Sequence, residues 1–90
     1  MEPTFFHIFL SARAGVSSKD IEAKINLAVD WYRYDAKNWV VYSTVDAAKW
    51  LARLKPLAQA GGHVLICELN VDERAGWMPK AFWAWLNKER

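Results

Sequence analysis

Acid–base or metal chemistry in this 90-residue chain would have to come from two histidines, a single cysteine and ten scattered carboxylates. His7 lies inside the apolar run Phe5-Phe6-His7-Ile8-Phe9-Leu10. A general base needs a partner acid or nucleophile within reach, and the sequence neighbours of His7 offer none. A buried, hydrogen-bonded imidazole is therefore the reading for His7. His63 follows Gly62 at the start of a second apolar run and reads as a loop-edge residue. One cysteine excludes an intramolecular disulfide and a multi-cysteine zinc site, and two isolated histidines do not complete a tetrahedral ligand set. Cys67, within Val64-Leu65-Ile66-Cys67-Glu68-Leu69, reads as a small core residue. Glu68 needs Arg13, Arg33 or Lys37 as an ion-pair partner if it faces inward, and is a solvated carboxylate otherwise. Asp30 and Asp72-Glu73-Arg74 read as turn or surface charges. No catalytic residue, metal or cofactor is expected, and the chain is not expected to be an enzyme.

Binding chemistry has more to draw on. Arg13, Lys19, Arg33 and Lys37 are the candidate basic surface for a nucleic acid. Arg13 and Gly15 precede a helix start that favours anions, and Arg33 alternates with Trp31, Tyr32 and Tyr34, which could stack on bases. Against this, Asp30 and Asp35 dilute the field, and twelve Lys/Arg against ten Asp/Glu give a net charge of only +2. The tail Gly76-Trp77-Met78-Pro79-Lys80-Ala81-Phe82-Trp83-Ala84-Trp85 is the stronger candidate. Trp77, Phe82, Trp83 and Trp85 cannot all face one direction on a short helix. One set is expected to close the sheet and another to bury against a second copy or a protein partner.

The elements that would carry these residues follow from periodicity. Residues 5–10 are too short for a buried helix and predict a strand covered on both faces. Ser17 or Ser18 caps a helix, Ser17 with Asp20 forming a capping-box-like start, and Ile21, Ile25, Ala28 and Val29 share a face to about Val29. Trp31–Tyr34 and Trp39–Tyr42 predict a hairpin turning at Asp35-Ala36-Lys37-Asn38. Thr44 or Ser43 caps a second helix with the stripe Ala47, Trp50, Leu51, Leu54 and Ala58. Pro56 predicts its end near Arg53 or Leu54, with a separate turn to Ala60. Residues 63–69 predict the fourth strand, and Pro79 the first turn of a last helix from Lys80 to about Lys88. The order β-α-β-β-α-β plus a closing helix predicts one α+β domain over residues 1–90. Its architecture is a ferredoxin-like βαββαβ two-layer sandwich with an extra C-terminal helix, and residues 76–90 form the aromatic tail. At 53% hydrophobic and 24% charged, the chain is expected to be folded. The start Met1-Glu2-Pro3-Thr4 lacks signal-peptide features, no apolar run suits a bilayer, and cytoplasmic residence without membrane association is the expectation.

The hairpin Asp30-Trp31-Tyr32-Arg33-Tyr34 … Asn38-Trp39-Val40-Val41-Tyr42-Ser43-Thr44 resembles the second and third strands of the small SinR-like proteins. These are related to the CRISPR-associated small endoribonuclease-like proteins and the VapD-type toxins. Leu51-Ala52-Arg53-Leu54-Lys55-Pro56-Leu57, Val64-Leu65-Ile66-Cys67-Glu68, and Gly76-Trp77-Met78-Pro79-Lys80 with Trp83 and Trp85 are similar to the same group. The resemblance implies a homodimeric ferredoxin-like domain in defence or mobile-element biology. In nuclease members an Asp ending the first strand holds a divalent metal. Here that stretch reads Leu10-Ser11-Ala12-Arg13, so no catalytic residue carries over. The expectation is a non-enzymatic interaction protein of microbial or mobile-element context. It would dimerise, dock on a protein partner through Trp77, Phe82, Trp83 and Trp85, and in that way inhibit a nucleic-acid-processing assembly. The alternatives are a nucleic-acid-binding protein using the four basic residues and, third, a metal-dependent ribonuclease.

Overall fold

The computed structural model describes residues 2–90. Its elements are β1 (Thr4–Ser11), α1 (Ser18–Ile25), β2 (Asp30–Asp35), β3 (Asn38–Ser43), α2 (Ala47–Ala58), β4 (His63–Leu69) and α3 (Lys80–Leu86). The strands form one four-stranded sheet in the order β2-β3-β1-β4, every neighbouring pair antiparallel. Helices α1 and α2 cover one face, giving a two-layer α+β arrangement, and α3 lies against the other face.

Alternation along β1 sends Phe6, Ile8 and Leu10 into the layer beneath the helices. There they meet Trp39 and Val41 of β3, Ile25 of α1, and Trp50, Leu54, Leu57 and Ala58 of α2. Trp50 is fully buried and satisfies its indole N–H by donating to Ser43 Oγ at 2.9 Å, itself a buried hydroxyl. Ser43 is thus a core acceptor rather than a helix cap. Asp46 caps α2 instead, its carboxylate accepting from Lys49 N at 2.9 Å. At α1 the expected box is present: Ser17 Oγ accepts from Asp20 N, and Asp20 accepts from Ser17 N.

Two helix ends differ from expectation. Helix α1 stops at Ile25, because Asn26 closes it and turns its Oδ1 to the Trp31 indole N–H at 2.8 Å. Val29 consequently lies outside the helix and is 61% exposed. Helix α2 does not end before Pro56 but runs through it to Ala58. The proline sits in the last turn, where burial of Leu57 and Ala58 holds the backbone down. The end is further tied by Arg13, whose Nε donates to Pro56 O at 3.2 Å and whose backbone N donates to Leu57 O at 2.8 Å. A cation at a helix C-terminus also complements the helix dipole. Gly62 N closes the set by donating to Ala58 O at 2.8 Å.

On the opposite face, Phe82 and Leu86 of α3 bury against Val40, with Phe5, Tyr32, Leu69 and Trp85 packed around them. Arg90 pins this helix down. Its guanidinium lies 4.6–5.2 Å from the ring centres of Trp85, Tyr42 and Phe5 and bonds Asp30 Oδ2 at 3.3 Å. Burial alone would raise the Asp30 carboxyl. The Trp85 indole N–H turned toward it (short of hydrogen-bond geometry), the Trp31 backbone N–H and the Lys88 ammonium together hold it below the usual carboxylate range.

Candidate functional site

The second sheet face is only partly covered, and the uncovered part brings together residues far apart in sequence. Alternation puts Phe5, His7 and Phe9 of β1 on it, beside Val40 of β3 and, through the β1–β4 register, Leu65, Cys67 and Leu69 of β4. Covering by α3 reaches Phe5, while His7 and Phe9 stay half-exposed, so β1 is fully buried on one face alone. Cys67 is exposed rather than a core residue, because β4 is the outermost strand and Cys67 points to this open face. Glu68 is exposed at the same edge.

Between α3, the β4–α3 loop and the sheet lies a cavity of about 360 Å³. Its lining includes His7, Tyr34, Val40 and Leu69 from the strands, Asn70, Glu73 and Arg74 from the loop, and Met78, Phe82 and Trp83 beyond them. His7 Nε2 and Tyr34 Oη are 2.6 Å apart. The imidazole thus has the partner that its own segment lacks, and the partner is a phenol two strands away. Burial lowers the His7 pKa, opposed by the Asp35 carboxylate, and burial with the same carboxylate raises that of Tyr34. Both groups are neutral at pH 7, and we assign the phenol O–H as donor to the imidazole lone pair.

This pair carries a pH prediction. The folded imidazole takes up its proton at lower pH than the unfolded one, which titrates at ~6.5. Stability is therefore expected to fall as pH drops below the unfolded value, with the loss complete once the folded group has titrated. An NMR titration should give His7 a midpoint below that of an unfolded-chain histidine. A His7 midpoint at or above the ordinary value would refute the neutral pair.

A second feature is the contrast between the two sheet edges. Strand β2 reads Asp30-Trp31-Tyr32-Arg33-Tyr34-Asp35, carries a register irregularity between Arg33 and Asp35, and has Lys88 and Arg90 against Asp30. Charges and bulges of this kind blunt an edge. Strand β4 reads His63-Val64-Leu65-Ile66-Cys67-Glu68-Leu69 and has one formal charge, Glu68, with no bulge in its pairing to β1. Leu65 is 58% exposed on β4, and Leu51 of α2 is 42% exposed beside it. Together with Val64, Ile66 and Ala47 they line a shallow apolar groove along the edge.

The residues singled out in the sequence fall as follows. Phe82 is a core residue of its own chain, Trp85 packs on Phe5 and Tyr32, and Trp83 is half-buried edge-on to Phe82. Trp77 stands free, 98% exposed. Arg13 is engaged at the α2 terminus, and Arg33 folds over its own hairpin, donating to Asp35 O and Ala36 O above the Trp39 ring. Lys19 on α1 and Lys37 in the hairpin turn are exposed. No helix is long and apolar enough to cross a membrane among the described residues, nor do three His, Cys, Asp or Glu side chains converge there as a metal site. No family model, curated protein or solved structure matches the chain.

Proposed function

We propose that this chain is a small non-enzymatic interaction protein that works as a homodimer and docks on a protein partner. The strand order read from the other edge, β4-β1-β3-β2, with a helix after β1 and after β3, supports the ferredoxin-like class. The likeness of its hairpin and tail to the SinR-like group supports a microbial defence or mobile-element context. The observation that carries the functional reading is the unprotected β4 edge. An exposed apolar strand with free backbone groups is a template for another strand.

A second copy suits that edge by charge. Antiparallel pairing about Ile66 sets Val64 of each copy opposite Glu68 of the other. Lys55 and His63 line the groove beside Val64, so each incoming carboxylate meets a cation and an imidazole. The two sheets then become one, and the apolar flanks at Leu51 and Leu65 are covered. Trp77 remains outside this seam as an aromatic anchor for a different protein, the side-chain type that dominates binding energy at interfaces.

Sedimentation of the full chain tests the seam. The wild type should sediment at twice the chain mass at micromolar concentration. Leu65→Lys puts a charge at each flank of the joint and should weaken the dimer by about 2 kcal/mol or more, with little change in thermal stability. A wild type that stays at the monomer mass at high concentration would end the β4 reading.

A further inference from the structure

We propose that the cavity beneath α3 binds a bicyclic heteroaromatic molecule with a hydrogen-bonding edge, of the indole or purine class. Its volume of about 360 Å³ lies within the range of small-molecule sites, which are concave, largely apolar and given orientation by a few polar groups. Here the walls are aromatic and soft: Phe82, Trp83 and Met78 suit the face and edge of a flat ring.

The polar groups narrow the class. With Tyr34 donating to His7 Nε2, the proton of the neutral imidazole sits on Nδ1, which has no hydrogen-bond partner among the described residues. The pair thus offers the cavity one donor at His7 and one acceptor at Tyr34 Oη. A purely hydrocarbon occupant strips water from both and returns nothing, and leaving buried polar groups unmatched is costly. An anion gains little either. Arg74 is tied to Val71 O and Asn87 Oδ1, and Glu73 stands next to it on the rim. A neutral ring with N–H or ring-nitrogen groups along one edge answers all three features. This inference does not depend on the dimer, since the cavity and the apolar groove beside Val64, Leu65 and Ile66 share no lining residue, Leu69 at the end of β4 being that strand's contribution to the cavity.

Amide NMR spectra of the full chain, titrated separately with indole, adenine and indene, test the proposal. Indene copies the shape of indole without its N–H. Indole or adenine should give saturable shifts centred on His7, Tyr34, Met78 and Trp83, with indene at least about tenfold weaker than indole. Tighter binding of adenine than of indole points to the purine source, and the reverse order to the indole source. Tyr34→Phe, at an exposed position, removes the acceptor for the indole N–H and should bring indole toward indene in affinity, whereas His7→Phe removes the donor and should weaken adenine more than indole. Equal binding of indole and indene to the wild type, shifts centred on Val64, Leu65 and Ile66 instead of the cavity, or no saturable shifts with either heterocycle would overturn the proposal.

Discussion

Gly62→Ala is expected to lose about 3 kcal/mol or more of stability, a large share of the total for a domain of this size. A Cβ built there falls 2.2 Å from Ser11 O, 2.9 Å from Ala58 O and 3.0 Å from Arg13 N. All three obstacles are backbone, so no side chain can swing aside. They also belong to three different segments: the end of β1, the end of α2 and the loop between β1 and α1. Relief requires moving the junction that aligns β4 with β1. Gly15→Ala is the control: nothing lies within 4 Å of its added carbon, and the penalty there comes from φ of +90° alone, about 1–2 kcal/mol. Thermal melts of the two variants should differ by several degrees, with Gly62→Ala the lower. Equal melting temperatures would mean that the junction yields easily.

Trp50→Ala is expected to cost about 3–5 kcal/mol, the range for emptying a buried aromatic site. The indole is fully enclosed between α2 and the sheet, and Arg53 lays its guanidinium 5.0 Å above the ring. The loss has two separable parts. Trp50→Phe restores much of the apolar volume but removes the donor to Ser43 Oγ, and should cost about 1–3 kcal/mol. The double variant with Ser43→Ala should then cost less than the two single changes summed, because each single change already removes the same bond, while Ser43 Oγ keeps the Val45 N–H as a second donor. Additive costs in urea unfolding would show that the Trp50–Ser43 bond contributes nothing.

Local chemistry was legible in the sequence wherever one segment held all the partners. The Ser17–Asp20 box, the Asp35–Asn38 turn and the apolar run of β1 each lie within a few residues, although both faces of β1 were expected to be covered and only the face of Phe6, Ile8 and Leu10 is fully buried. Features that depend on strand order were not. Pro56 looks like a stop because its stabiliser, Arg13, is 43 positions earlier. His7 looks solitary because Tyr34, 27 residues on, comes beside it only once β3 separates β1 from β2. Cys67 has the sequence surroundings of a core residue, yet burial of a strand's second face needs a further layer, and α3 covers a different part of the sheet. The tail is the instructive case. Its aromatic density predicted one set closing the sheet and another at an interface without saying which, and Phe82 and Leu86 are the ones that pack on the sheet of their own chain, with Trp77 left exposed. Periodicity identifies the apolar side of so short a helix but not which surface receives it.

The asymmetry of the two margins limits how far association can proceed. Stacking that consumes β4 leaves each product bounded by β2 on both outer sides, and those borders are irregular and charged. On the proposed pairing, growth would therefore terminate after a single addition. In the proposed dimer a chain so rich in aliphatic and aromatic strands would escape fibre formation, because the one unblunted sheet border among the described residues is used up when two molecules meet.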